Sequence, residues 1–148
     1  MAVKNYPVGT HFKGPLKLGV GSMILSTDFG GFTAAKTLTA DESNGVNYIL
    51  DGGTGFVITL PVPTQGWYCK FTIGALFTTD FTFIAGTADT MTGSITEAGV
   101  LQLVTAADQI ILEDGAEVLG DFLEFWSDGT NTFVHGVTST ALSATPSG

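Results

Sequence analysis

The sequence predicts an all-β protein: an antiparallel β-sandwich or jelly-roll-like body preceded by an extended N-terminal arm. Its 148 residues include 11 Phe and 20 Gly, a usage typical of short strands joined by tight turns. Apolar residues do not recur with a helical period. Short apolar runs instead follow one another closely from residue 37 onward, and about nine such runs are typical of a sandwich, jelly roll or barrel.

The first predicted element is the arm, residues 1–36. Gly and Pro recur in it every few residues, and they interrupt any strand or helix period. The arm also contains more aromatic and aliphatic side chains than a solvated disordered tail. A segment that is apolar, extended and unable to fold alone is expected to lie against another surface. The alternative interpretation is that these residues form the first one or two strands of the body.

Charge separates the arm from the rest of the chain. Residues 1–36 contain four lysines and one acid, a net charge of +3, and residues 37–148 contain one lysine and thirteen acids, a net charge of −12, which together give the −9 of the whole chain. The sequence has no arginine, so it lacks the bidentate donor that binds phosphates and guanine edges. Nucleic acid is therefore a poor candidate partner.

The body, residues 37–138, and a C-terminal tail, residues 139–148, follow the arm. Turn residues separate the apolar runs of the body: Asp-Gly-Gly at 51–53 favours a hairpin, Pro61 ends the third run, and residues 127–131 form a hairpin loop. The predicted strands are residues 37–40, 46–51, 56–60, 67–73, 81–85, 100–104, 109–113, 122–126 and 132–137.

Alternation along these strands predicts which side chains share a face. Phe122, Glu124 and Trp126 lie together on one face of their strand, and Phe81 begins another strand with an aromatic face. Strands with bulky residues on both faces are either central to a sandwich or part of a surface between subunits. Phe81, Phe122 and Trp126 leave more large apolar surface than one small core absorbs. We therefore expect them at an interface between copies of the chain; the resemblance described below implies that the assembly is a homotrimer.

Few side chains suited to catalysis are present: His11, His135 and Cys69. Cys69 is expected to be a small buried hydrophobe, and His135 a partly buried histidine with a local hydrogen bond. A triad can be drawn from Ser127, His135 and Asp128, but no nucleophile elbow surrounds the serine. We therefore expect no enzymatic activity and name no catalytic residue.

Metal and cofactor sites are not expected either. Two distant histidines and one cysteine do not provide a zinc set. The acidic loops 113–117 and 128–131 lack the spacing of an EF-hand, which favours solvated turn acids over a calcium site. Trp67, Tyr68 and Trp126 suit a platform for stacking a sugar, but packing in the core or an interface is the preferred interpretation because no cluster of acids and amides surrounds them.

The sequence offers no signal for a membrane. No apolar run approaches the roughly 18 residues that span a bilayer. The first 14 residues contain no apolar stretch of the kind found in signal peptides. Secretion and membrane insertion are both unexpected.

An ordered set of short motifs covers about two thirds of the chain. The set resembles the decoration (cement) proteins of tailed bacteriophage heads, and similar modules occur in other phage appendages. The motifs are KTLTADESNG at residues 36–45, YILD at 48–51, VITLPVP at 57–63, FTI at 71–73, GDFLEFWSDGTN at 120–131 and VHG at 134–136.

The resemblance implies a β-rich knob on the outer surface of a phage capsid, commonly trimeric. Such a knob lies where capsid hexamers or pentamers meet and clamps them against internal pressure. The implied location is the virion, and the implied partners are the major capsid protein and other copies of the chain. The alternative is a receptor- or glycan-binding module of a tail fibre, spike or head fibre.

A decoration protein needs a segment that adheres to the shell, and we expect the arm to provide it. Its lysines suit an acidic capsid surface, and its apolar side chains supply area to bury. The candidate capsid-binding residues are Tyr6, Phe12, Lys13, Leu16, Lys17 and Leu18.

Overall fold

A computed structural model describes residues 34–51, 53–88 and 91–140. Strands dominate these residues, and the one helix among them is a single turn. The elements are β1 (Lys36–Thr37), α1 (Ala40–Ser43), β2 (Val46–Leu50), β3 (Val57–Thr59), β4 (Tyr68–Ile73), β5 (Phe81–Ile84), β6 (Met91–Glu97), β7 (Val100–Ala107), β8 (Gln109–Leu112), β9 (Phe122–Ser127) and β10 (Thr132–Thr138).

The strands form two sheets. One has four strands in the order β1-β3-β5-β8, and the other has six in the order β2-β4-β9-β10-β6-β7. The all-β prediction is confirmed in the described residues, and each of the nine predicted strands overlaps a strand of the structure. None of the described helices is long and apolar enough to cross a membrane.

Both sheets are mixed, so the prediction of an antiparallel body is wrong. β1 pairs with β3, β3 with β5, β2 with β4 and β6 with β10 in parallel, while the other pairs are antiparallel. For the first three of these parallel pairs the reason is the path of the chain, which alternates between the sheets from β1 to β5. A strand that leaves a sheet and returns after one strand in the other sheet re-enters in its original direction. Parallel neighbours need such a crossover connection.

Aromatic side chains join the two sheets. Phe71 of β4 and Phe125 of β9 contact Phe83 of β5, with ring centroids 4.7 and 5.4 Å apart. All three rings are buried. Burying one such side chain contributes about 1.5–3 kcal/mol, so this cluster holds the six-stranded sheet against the four-stranded one.

Of the first predicted strand, residues 37–40, only Thr37 lies in a strand, and Ala40 begins a turn of helix, α1. β1 ends at Thr37, and the Thr39 hydroxyl caps α1 by accepting a hydrogen bond from the backbone N–H of Glu42 at 3.3 Å. Lys36 forms an ion pair with Glu42. The hydrogen bond from Lys36 is the main cause that lowers the pKa of Glu42.

One strand, β6, is absent from the predicted set. Gly93 lies inside it, and glycine in a strand interior weakens the sequence signal. The structure explains the glycine by close approach: a Cβ at this position would collide with the carbonyl oxygen of Val134 on β10.

Residues 1–33 of the predicted arm and residues 141–148 of the predicted tail lie outside the described residues, and the last residue of the predicted arm, Lys36, belongs to β1. Of the tail, residues 139 and 140 are described, and the backbone N–H and hydroxyl of Ser139 donate to the Asp121 carboxylate at 3.0 and 2.8 Å. This contact fixes the chain where it leaves β10. The division into arm, body and tail otherwise stays a prediction.

Candidate functional site

The candidate site is the face of the six-stranded sheet that points away from the core, here called the outer face. On β4, β9 and β10 alternate side chains are buried, and the intervening ones form this face. Strand register aligns them in rows across the sheet. The central row contains Asn47, Lys70, Glu124, His135, Ser94 and Leu103.

Glu124 occupies the middle of the outer face. Its Oε2 accepts a hydrogen bond from the Tyr68 hydroxyl at 2.8 Å, and its Oε1 lies 3.1 Å from Nδ1 of His135. Burial, followed by the bond to Glu124, raises the pKa of Tyr68 to about 12. The phenol therefore keeps its proton and remains a donor through the neutral range. Both carboxylate oxygens of Glu124 are thus engaged within the sheet.

Lys70 and Phe122 form a second contact on this face. The Lys70 ammonium lies 3.8 Å from the centroid of the Phe122 ring, within the range of a cation–π interaction. The edge of the same ring approaches His135, with centroids 6.1 Å apart. Through Phe122, the lysine is held beside the Glu124 cluster.

Trp126 and Phe133 form a flat aromatic surface next to this cluster. They face each other across β9 and β10, and their rings stack at 5.8 Å with an interplanar angle of 25°. Trp126 keeps 38% of its surface exposed. Stacked rings beside a hydrogen-bonded carboxylate present both flat apolar area and polar groups of fixed position, which are the features of a recognition surface.

Two of the three predicted interface residues are brought together here. Phe122 and Trp126 both lie on the outer face of β9. Phe81 does not, and its assignment to an interface is corrected: it is 1% exposed and packs edge-on against Phe56 and Phe77, each at 4.9 Å between centroids. Phe81 is a core residue because β5 turns its aromatic face toward the six-stranded sheet.

The Tyr68–Glu124–His135 cluster was not predicted. Alternation does place Glu124 beside Trp126, and the hairpin loop does place His135 on the next strand. Nothing in the sequence indicates that β4 is the other neighbour of β9, because the two strands are distant in the chain. The predicted capsid-binding residues, Tyr6, Phe12, Lys13, Leu16, Lys17 and Leu18, lie outside the described residues.

The residues considered for a catalytic triad have other partners. The Ser127 hydroxyl donates to the carbonyl of Asn131 at 2.8 Å, and His135 binds Glu124. The Asp128 carboxylate accepts the backbone N–H groups of Thr130 and Asn131, both at 2.8 Å. These bonds, that of Asn131 first, lower the pKa of Asp128. As predicted, this acid belongs to a turn.

Other candidate sites are weaker. Cys69 is fully buried, as predicted, and burial raises the pKa of its thiol. Within the described ranges, no three His, Cys, Asp or Glu side chains are grouped in a way that suits a metal ion. A groove of about 240 Å³ lies between α1, β3 and Pro61, and its lining contains no titratable side chain.

The chain was compared with protein-family models, with curated proteins and with solved structures. None of the three comparisons found a match.

Proposed function

We propose that this protein is a non-enzymatic structural protein of a virion: a decoration protein that binds the outer surface of a bacteriophage head and stabilises it. The observation that carries the proposal is the outer face. β9 already buries Leu123 and Phe125 in the core, yet it presents Phe122 and Trp126 on its other side. A strand with large apolar side chains on both faces has area available for protein contacts.

The polar centre of the outer face supports a binding role. Tyr68 and His135 are both tied to Glu124, so their positions are set before any partner arrives. Groups ordered in advance lose less conformational entropy on association. We infer that the two sheets form a sandwich-like body and that this rigid surface mediates contact between copies, in a trimer centred on Phe122 and Trp126.

In this proposal, residues 1–36 bind the capsid. Exposed ion pairs contribute only about 0–1 kcal/mol each, so the lysines steer the arm more than they hold it. A fully buried Tyr, Phe or Leu side chain contributes about 1.5–3 kcal/mol, against about 1–2 kcal/mol of backbone entropy for each ordered residue. The net free energy of binding from one arm is therefore small. Three arms on one trimer multiply the affinity through their effective concentration.

Truncation tests the proposal directly. Full-length protein and a variant lacking residues 2–30 are each mixed with undecorated heads of the phage that encodes the chain, and bound copies are counted by cryo-electron microscopy and gel densitometry. We expect the full-length protein to saturate the heads and the truncated, folded variant to bind none. Absence of binding by the full-length protein contradicts the decoration role, whereas saturation by the truncated variant contradicts only the anchor.

A second candidate, a glycan-binding appendage module, is favoured by one observation. Trp126 and Phe133 provide a flat stacked surface next to the Tyr68–Glu124 hydrogen bond, and sugars bind to aromatic faces flanked by polar groups. Trp67 is buried and Trp126 is exposed, so a change in tryptophan fluorescence when a ligand binds the outer face comes chiefly from Trp126. A saturable fluorescence change on titration with a panel of bacterial surface glycans, lost in Trp126→Ala, supports this candidate, and no change across the panel rejects it.

A further inference from the structure

Among the described residues, strand β7 has an open edge. It lies at the end of the six-stranded sheet, and within the described part of the chain only β6 pairs with it. At eight residues it is the longest of the described strands. An edge strand presents a row of backbone N–H and C=O groups that can pair with another chain.

The side chains of β7 do not protect this edge. Val100, Leu101 and Leu103 are 59%, 62% and 76% exposed. The strand contains no charged residue and no proline, although edge strands are usually protected by lysine, proline or inward-pointing charges. The feature is a long, apolar, unblocked edge.

The turn before β7 determines which backbone groups face outward. Ala98 and Gly99 have φ values of 48° and 83°, as the two central residues of a type I′ hairpin turn do. Such a turn makes Glu97 and Val100 a hydrogen-bonded pair. Hydrogen-bonded and non-bonded pairs alternate along an antiparallel ladder. The N–H and C=O groups of Leu101 and Leu103 therefore point away from β6.

We propose that β7 pairs with β7 of a second copy of this chain, antiparallel and about a two-fold axis, so that two six-stranded sheets become continuous. The choice of a second copy rests on self-complementarity: about a two-fold axis, the outward N–H and C=O groups of one antiparallel edge meet the C=O and N–H groups of its copy. Like charges directly opposite each other destabilise such a ladder. β7 contains no charged residue, so the ladder between two copies has no such pair, although residues 37–148 carry a net charge of −12.

The inference goes beyond the proposed function, because it concerns the isolated protein whatever it decorates. A two-fold contact closes as a dimer. If the outer face also forms trimers, the two contacts together give assemblies of six. Even copy numbers are therefore the signature of the β7 contact, and multiples of three are the signature of the outer face.

The test is residue-resolved amide exchange of the full-length protein by NMR at two concentrations, alongside sedimentation velocity. We expect an even-numbered species at high concentration, in which the amides of Leu101 and Leu103 exchange at least tenfold more slowly than in the dilute protein. Leu103→Lys should abolish both effects. Leu119→Lys is the matched control, because Leu119 is 62% exposed and lies outside β7, and it should change neither.

Other outcomes overturn the inference. Exchange at Leu101 and Leu103 that is equal at both concentrations contradicts pairing between copies. Protection that is independent of concentration but lost on deleting residues 2–33 means that the chain covers its own edge. A trimer that persists unchanged in Leu103→Lys, with no even-numbered species in the wild type, rejects the β7 contact and leaves the outer-face trimer standing. The exchange measurement on the wild type decides the matter even if a variant fails to fold.

Discussion

Glu124 and His135 lie directly opposite each other on β9 and β10, and the Glu124 carboxylate bridges His135 to Tyr68 on β4. One side chain thus joins three adjacent strands of the six-stranded sheet on the side away from the core. Removing the carboxylate leaves a phenol and an imidazole without their partner.

The first prediction concerns the Tyr68–Glu124 bond. In a double-mutant cycle with Glu124→Ala and Tyr68→Phe, we expect a coupling free energy of about 1.5–3 kcal/mol, the usual range for a hydrogen bond to a charged group, measured by urea unfolding. Val137→Ala, on the same face of β10, serves as a control and should combine additively with Tyr68→Phe. Additive effects of Glu124→Ala and Tyr68→Phe contradict the bond.

A second prediction follows from the raised pKa of Tyr68, about 12. A pKa that is higher in the folded state contributes stability that is complete below the unfolded value of about 10 and is lost as pH rises toward 12. The free energy of unfolding should therefore fall between pH 10 and 12. Tyr68→Phe should reduce this fall without abolishing it, because burial also raises the pKa of Tyr48, and it should remove one late step from the phenolate absorbance titration. Titration of Tyr68 at the ordinary tyrosine midpoint contradicts the prediction.

Truncation of Phe81 and truncation of Trp126 should affect different properties: the first chiefly lowers stability, and the second also weakens self-association. Phe81→Ala empties a buried site and is expected to cost about 3–5 kcal/mol of stability. Trp126→Ala removes one half of an aromatic stack, worth about 0.5–1.5 kcal/mol beyond the area that the ring buries, and is expected to cost less than Phe81→Ala because Trp126 is 38% exposed. It should also raise the dissociation constant of self-association. Chemical denaturation and analytical ultracentrifugation of both variants measure these effects. Unchanged association of Trp126→Ala argues against an outer-face interface.

Gly93→Ala should destabilise the sheet, because the added methyl meets the Val134 carbonyl of β10 and the two parallel strands must separate. We expect a loss of about 1–3 kcal/mol, the usual cost of overpacking. Ser94→Ala, at the next position of β6, is the matched control, and its effect should stay within about 0.5 kcal/mol. Equal stability of the two variants contradicts the close approach of β6 and β10.

The last prediction separates apolar from charged contributions to capsid binding by the arm. Phe12→Ala with Leu18→Ala should weaken binding to heads more than Lys13→Ala with Lys17→Ala at physiological salt, where the Debye length is about 8 Å. Binding isotherms at low and physiological salt measure the difference. A larger loss from the lysine pair at both salt concentrations means that charge holds the arm.

Local signals predicted most of the strands. β9 and β10 show why: apolar alternation identifies each strand, and the Ser127–Asn131 turn joins them in a hairpin whose polar groups bond to one another. Alternation also correctly separates Glu124 and Trp126 from Leu123 and Phe125.

Information that is not local could not be predicted. The neighbours of β4 are β2 and β9, and no residue of β4 identifies either of them, so the Tyr68–Glu124 contact stayed hidden. Phe81 was misplaced for the same reason. The sequence of an aromatic face is the same whether the face meets a second sheet of the same chain or another subunit. The contacts of Phe81 with Phe56 and Phe77 show that it belongs to the core.

The alternation of the chain between its sheets has a consequence for the order of folding. None of the strands from β1 to β5 forms a hairpin with its successor, whereas β6 with β7 and β9 with β10 are each joined by a short turn. Local pairing can therefore begin only in the second half of the chain. β4 can pair with β2, and β5 with β3, but their other neighbours, β9 and β8, come much later in the chain. Such high contact order slows folding, and in a chain leaving the ribosome β4 and β5 obtain their second neighbours only when synthesis has reached β9 and β8.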